Sequence, residues 1–314
     1  MQPYKVMRPS GLETHYVYRP ELGEDPEERI AVESTATYKY DAENARLLST
    51  VEGGNTLTRE YFSTGEIKSE SRVQVGEPPR VMHYEYSRQS RILSYVDVLG
   101  QTQTYDYDPR TAQLIATELG TTRSVFTYDD FGQLKSIETV DGSQRLKIDL
   151  EYDDFGRETL RTFDLGNNVI QTLYQAYDAA DRLSRRILNQ GDEVLRDEQY
   201  DYDSRGRLME YTCSGSQAPV DPYGKVIESQ VFAFDAQDNI TYLETAFKGG
   251  RNESFYEYTN SADPCQLMAV THSLQPEYPS RIEFSYDADG SLIKDEAGRT
   301  LSYDSLGRLS SVSV

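Results

Sequence analysis

Apolar and polar residues alternate along most of this chain. In the stretch 145–152, Leu146, Ile148, Leu150 and Tyr152 fall on one face, and Lys147, Asp149 and Glu151 on the other. In 123–128, Phe126 and Tyr128 share a face. A period of two marks strands with one packed and one solvated face. No segment carries convincing helical periodicity, and only the Pro- and Glu-rich piece Glu21 to Arg29 is expected to form a short helical turn or loop.

One unit recurs: an aromatic, usually Asp, two variable residues, then often Gly-Arg-Leu. The clearest copies are Tyr128-Asp129-Asp130-Phe131-Gly132, Tyr152-Asp153-Asp154-Phe155-Gly156-Arg157, Tyr202-Asp203-Ser204-Arg205-Gly206-Arg207 and Tyr303-Asp304-Ser305-Leu306-Gly307-Arg308. Tyr286-Asp287-Ala288-Asp289-Gly290 lacks the Arg, and Tyr177-Asp178-Ala179-Ala180-Asp181-Arg182 has Asp in the Gly position. Weaker copies open at Tyr40, Tyr107 and Phe234, and degenerate ones at Tyr61, Tyr86 and Tyr258. Most aromatics lie 21 to 25 residues apart, and longer gaps mark insertions such as 214–219 and 274–279.

The unit has a local physical meaning. The Asp carboxylate can accept from backbone N–H groups ahead of it, and Gly takes positive φ without a Cβ clash, so Asp-x-x-Gly predicts a tight corner. Second turn signals follow about ten residues on, at Asp141-Gly142, Gly166-Asn167-Asn168, Gln190-Gly191-Asp192 and Gly249-Gly250. Each repeat is then two antiparallel strands and two turns. About twelve repeats make about 24 strands, a flat ribbon on the order of 100 Å wide at the usual strand spacing. Sheets of that size curl. The expected fold is all-β: an array of antiparallel β-hairpins forming a long coiled sheet, an open shell or a partial barrel. Residues 1–37 form an N-terminal segment with early strands and an acidic loop, and 38–314 the array, which ends mid-array. Stability is expected to come mostly from neighbouring repeats, and an unpaired edge strand invites self-association.

Composition narrows the function. The chain has 25 Tyr, 10 Phe and no Trp, too aromatic for a disordered chain. Its net charge of −21 disfavours nucleic acid and anionic membranes as partners. Such charge keeps a large sheet soluble, or matches a basic cargo or partner. No window is apolar enough for a membrane helix, and residues 1–5 lack the apolar core of a signal peptide. Cys213 and Cys265 make no C-x-x-C pair, so neither a zinc site nor a redox motif is supported.

Candidate chemistry is sparse. His15, His83 and His272 have no ligand partner at i+4, and His83 reads as a strand residue. The pairs Asp129-Asp130 and Asp153-Asp154 resemble glycosidase acids or a calcium site, but their place in the repeated corner gives the better account: the first caps the turn and the second is exposed. No phosphate loop, G-x-S-x-G or H-E-x-x-H occurs. Neither a catalytic residue, a metal nor a cofactor is expected. Tyr-rich faces can bind glycans or proteins, or simply pack as the array's own ladder.

The recurring Tyr-Asp-x-x-Gly-Arg-Leu motif, from about residue 38 to 309, resembles the YD/RHS repeat family. Stretches such as 195–208, 219–225 and 262–267 look like the RHS proteins of bacterial polymorphic toxins, Pseudomonas-like ones included, and similar repeats occur in toxin-complex components and animal teneurins. The resemblance implies a hollow β-shell that holds a C-terminal toxin domain until delivery. It also implies a self-cleaving core after the repeats, with aspartates near a D-P-x-G-type motif. Asp221-Pro222-Tyr223-Gly224 resembles that motif only superficially, because repeats follow it. The expected function is a non-catalytic shell segment, secreted or at the cell surface after bacterial synthesis, whose partners are the toxin domain or the rest of the shell. The alternative is a surface binding module or adhesin recognising glycans or partner proteins through its Tyr-rich faces.

Overall fold

In the computed structural model, which describes residues 4–18, 25–32 and 34–313, alternation becomes antiparallel sheet. There are 28 strands and no helix among these residues. The array expected from the sequence is present, all-β and antiparallel throughout. One expectation is corrected. Of the piece 21–29, residues 21–24 lie outside the described residues, and Pro26–Ile30 is a strand paired with Glu13–Tyr18 and Thr35–Tyr40. Its Glu and Arg side chains alternate across the sheet rather than wind, as period two requires.

The chain packs as two compact units, Ser124–Ser285 and a discontinuous one made of Met1–Arg123 with Tyr286–Val314. In the first, strand follows strand from Leu134–Asp141 to Arg281–Glu283, each paired antiparallel with the next. Hairpins close at one end through two-residue turns such as Gly191-Asp192, and at the other through the Asp corners. Where strands meet the corner, the ladder slips by one residue at the motif aromatic: at Tyr152, Tyr177, Tyr202 and Phe234. Such a bulge re-aims the side chain that follows it.

Few side chains are fully buried. In Ser124–Ser285 a small cluster forms from Tyr211, Cys213 and Ile227, with Tyr200, Leu208 and Phe232 against it. Glu198 lies there at 4% exposure, accepting from Arg186 at 2.7 Å and from the Tyr211 hydroxyl at 2.9 Å. A carboxylate this deep persists only with such partners. The opposed Tyr200 phenol is pushed up to about 12, chiefly by burial.

The discontinuous unit repeats the pattern, with slips at Tyr40, Tyr61, Tyr86, Tyr107 and Tyr303. The strands Leu292–Lys294, Thr300–Tyr303 and Leu309–Ser313 pair in sequence. Contacts across most of the chain tie the unit together. The Ser10 N–H and hydroxyl each donate to a different carboxylate oxygen of Asp289 at 2.8 Å. Arg308 reaches Glu52 at 3.3 Å, where Arg29 and the Ser34 hydroxyl already donate at 2.6 Å. Neighbour packing alone does not describe this unit. Asp289→Ala is expected to speed amide exchange in 286–313 while leaving 134–272 unchanged, read by hydrogen-exchange mass spectrometry.

Candidate functional site: the repeated corner

The corner at 203–207 shows the construction. The Asp203 N–H donates to Arg207 O at 2.9 Å, and the Gly206 N–H to Asp203 O at 3.0 Å. Asp203 Oδ1 accepts from the N–H groups of Arg205 and Arg207 at 2.8 and 2.9 Å. Its Oδ2 accepts from Arg207 Nε at 2.6 Å. Gly206 sits at φ +83°, where a Cβ would meet no neighbour but would strain the backbone. The Arg207 guanidinium then lies 4.8 Å from the Phe234 ring centroid of the next repeat.

The same links join Asp153 through Arg157 to Tyr177, and Asp178 through Arg182 to Tyr202. Each tyrosine hydroxyl reaches back to a carbonyl: Tyr152 to Leu134, Tyr177 to Glu158 and Tyr202 to Leu183, all at 2.8 Å. Corners at Asp287 and Asp304 keep the Oδ1 bonds, and Arg308 Nε completes the second. Tyr303 donates to Leu292 O at 2.9 Å. At 178–182 the Gly position holds Asp181 at φ +62°, a conformation Asp tolerates better than most residues. Its carboxylate takes Arg157 from the preceding corner at 2.5 Å.

These carboxylates are electrostatically committed. The guanidinium of Arg157 first, and backbone N–H groups next, hold Asp153 below the usual carboxylate range; Arg182 does the same for Asp178. For Asp203 the Arg207 N–H is the larger cause. An aspartate with both oxygens engaged is a weak base and a poor proton donor near neutrality. Asp130 and Asp154 stand exposed beside Phe131 and Phe155. Among the described residues no group of three or more His, Cys, Asp or Glu is arranged to hold a metal ion.

Three corners escape an aromatic-led reading. Asp97, Asp221 and Asp295 cap Asp-x-x-Gly turns in the same way, although no aromatic precedes them. The Asp-x-x-Gly spacing alone would have found them. Asp221 belongs to a further cluster. The Tyr278 hydroxyl donates to Asp221 Oδ2. The rings of Tyr223 and His272 lie 4.5 and 5.4 Å from that of Tyr278. Asn252 Nδ2 and Ser254 Oγ lie within hydrogen-bond distance of His272 Nδ1, at 3.1 and 3.0 Å. Ser254 is only 4% exposed, so this Ser-His contact faces packed protein rather than solvent.

The teneurin YD-shell family matches residues 27–218. Three solved structures share the fold. The TcdB2–TccC3–Cdc42 structure aligns at TM-score 0.56 and 15% identity, over 96% of this chain and 21% of that one. The TcdB2–TccC3–TEV structure gives 0.57 and 14%, over 96% and 19%. A mutant Tc holotoxin pore of Photorhabdus luminescens gives 0.56 and 15%, over 96% and 20%. The chain thus spans about a fifth of the length of these structures. No curated protein matches it in sequence.

Two measurements test the corner and the cluster. Gly206→Ala should cost about 1–2 kcal/mol, the penalty for a Cβ in left-handed backbone, and Gly206→Asn less, by denaturant unfolding. Burial holds the His272 imidazole below its ordinary value, partly opposed by Asp221. The unfolded chain therefore takes up this proton first, and the stability it contributes is complete above about pH 6.5 and lost as pH falls from there through the folded value. Between about pH 7.5 and 5.5, the Tm of the wild type should fall more than that of His272→Gln.

Proposed function

The chain belongs to the teneurin YD-shell family, and from that premise we propose that it is a non-catalytic wall segment of an RHS-type toxin, enclosing or scaffolding a toxin cargo of its parent chain. The observation that carries this reading is the corner-to-corner link of aspartate, arginine and aromatic ring, which spends the repeat's charged groups on holding repeats together. The motif residues Tyr128, Tyr152, Tyr202, Tyr286 and Tyr303, with their aspartates, glycines and arginines, act as architecture in this reading. The fold shared with TcdB2–TccC3 assemblies supports association with other toxin components. It also supports a secreted or cell-surface site of action. Self-association through an edge strand such as Lys5–Met7, paired on one side by Glu13–Tyr18, is part of the proposal, and sedimentation over a range of concentrations reads it.

Expression of the parent chain followed by limited proteolysis tests the role. The segment enclosed by the repeats should resist protease until the shell is denatured. Immediate digestion of that segment, together with tight glycan-array binding by the repeats, would instead establish a surface binding module.

A further inference from the structure

Three consecutive links in the unit Ser124–Ser285 share one construction. Arg157, Arg182 and Arg207 each pair through Nε with their own corner aspartate and lie 4.7–4.8 Å from the next aromatic ring. The corner one repeat earlier breaks the series. Gln133 stands in the arginine position, and its amide turns to Gly156 O at 3.4 Å. Asp129 Oδ1 keeps its two backbone donors, Phe131 and Gln133. Among the described residues nothing donates to Asp129 Oδ2, and no cation lies over the Tyr152 ring. Tyr152 itself is held in place by its bond to Leu134 O.

A groove of about 570 Å³ lies at this corner, lined by Asp129, Tyr152 and Gln133. Phe131 and Phe155 flank it, 91% and 81% exposed. Glu151 and Asp154 add negative charge, against the single lining cation Lys135. Arg157 lies over Phe155 at 5.0 Å, but its charge is already taken by Asp153 and Asp181.

We propose that this groove receives an arginine side chain from a basic polypeptide partner, which pairs with Asp129 and stacks on Tyr152 as the chain's own arginines do in the following repeats. A planar guanidinium can pair and stack at once, whereas a lysine ammonium is a hydrated point charge. The net charge of −21 favours approach of such a partner. The proposal does not depend on what the shell encloses.

The probe is acetyl-Gly-Arg-Gly amide, with its lysine counterpart, titrated into the full chain at about 0.15 M salt to suppress diffuse attraction. Ring resonances of Phe131, Tyr152 and Phe155 are followed. The arginine probe should shift these rings and bind about fivefold tighter than the lysine probe. Gln133→Arg should raise Tm and weaken binding about tenfold, because an internal arginine fills the slot. Asp129→Asn keeps the Oδ1 cap and should weaken binding about as much. Glu228→Gln makes the same charge step outside the groove and should leave affinity within about twofold. Equal binding of the two probes, or equal losses in Glu228→Gln and Asp129→Asn, overturns the proposal. Unchanged binding in a folded Gln133→Arg does so as well.

Discussion

The guanidinium that joins one corner to the next is the interaction that binds the repeats from Asp153 to Phe234 into one series. A strand ending at an aromatic slips register there, and the slip aims the ring toward the preceding corner. The preceding arginine, already fixed by two nitrogens that converge on Oδ2 of its aspartate, meets the face of that ring. The tyrosine hydroxyl then accounts for a carbonyl 18 or 19 residues back. Turn, register and neighbour contact are thus one connected set of bonds, and each repeat hands its geometry to the next.

This arrangement suits sheets with little fully buried apolar surface. Leu150, Leu195 and Ile227 are among the few large aliphatic side chains below a tenth exposed. Polar groups enter the interior only with partners. Glu70 accepts from Arg59 and Arg72, and Glu198 from Arg186 and Tyr211. In both, burial pushes the carboxyl up, and the guanidinium bonds, joined at Glu198 by the Tyr211 hydroxyl, more than offset it. Cys213 shows the complementary case: burial pushes its thiol up, leaving a packing residue rather than a reactive one.

The discontinuous unit adds a constraint that a simple solenoid lacks. Asp289 takes two bonds from Ser10, 279 residues away in sequence, and Glu52 gathers Arg29, Ser34 and Arg308. Nearest-neighbour energetics describe the ladder within each unit. They omit these long-range ties, so the unit's first strands and last repeats are stabilised jointly.

Strands and corners were readable from residues alone, because their energetics are local. Alternation in 145–152 sets which residues share a face, and Asp203 with Gly206 closes a turn within five residues. Even the aromatic-free corners at Asp97, Asp221 and Asp295 carry that signal in plain view. Tertiary structure decided the rest: the slip at each aromatic, the carbonyl each tyrosine finds, the strand formed by Pro26–Ile30, and the meeting of His272 with Ser254 and of Tyr278 with Asp221. These depend on which strand lies alongside and in what register, which no five-residue window contains. The Gln133 position shows both sides. Its departure from arginine is visible in the sequence, but that it leaves the Asp129 carboxylate with only its two backbone donors among the described residues, and turns the Gln133 amide to Gly156 O, follows only once neighbouring repeats are in register.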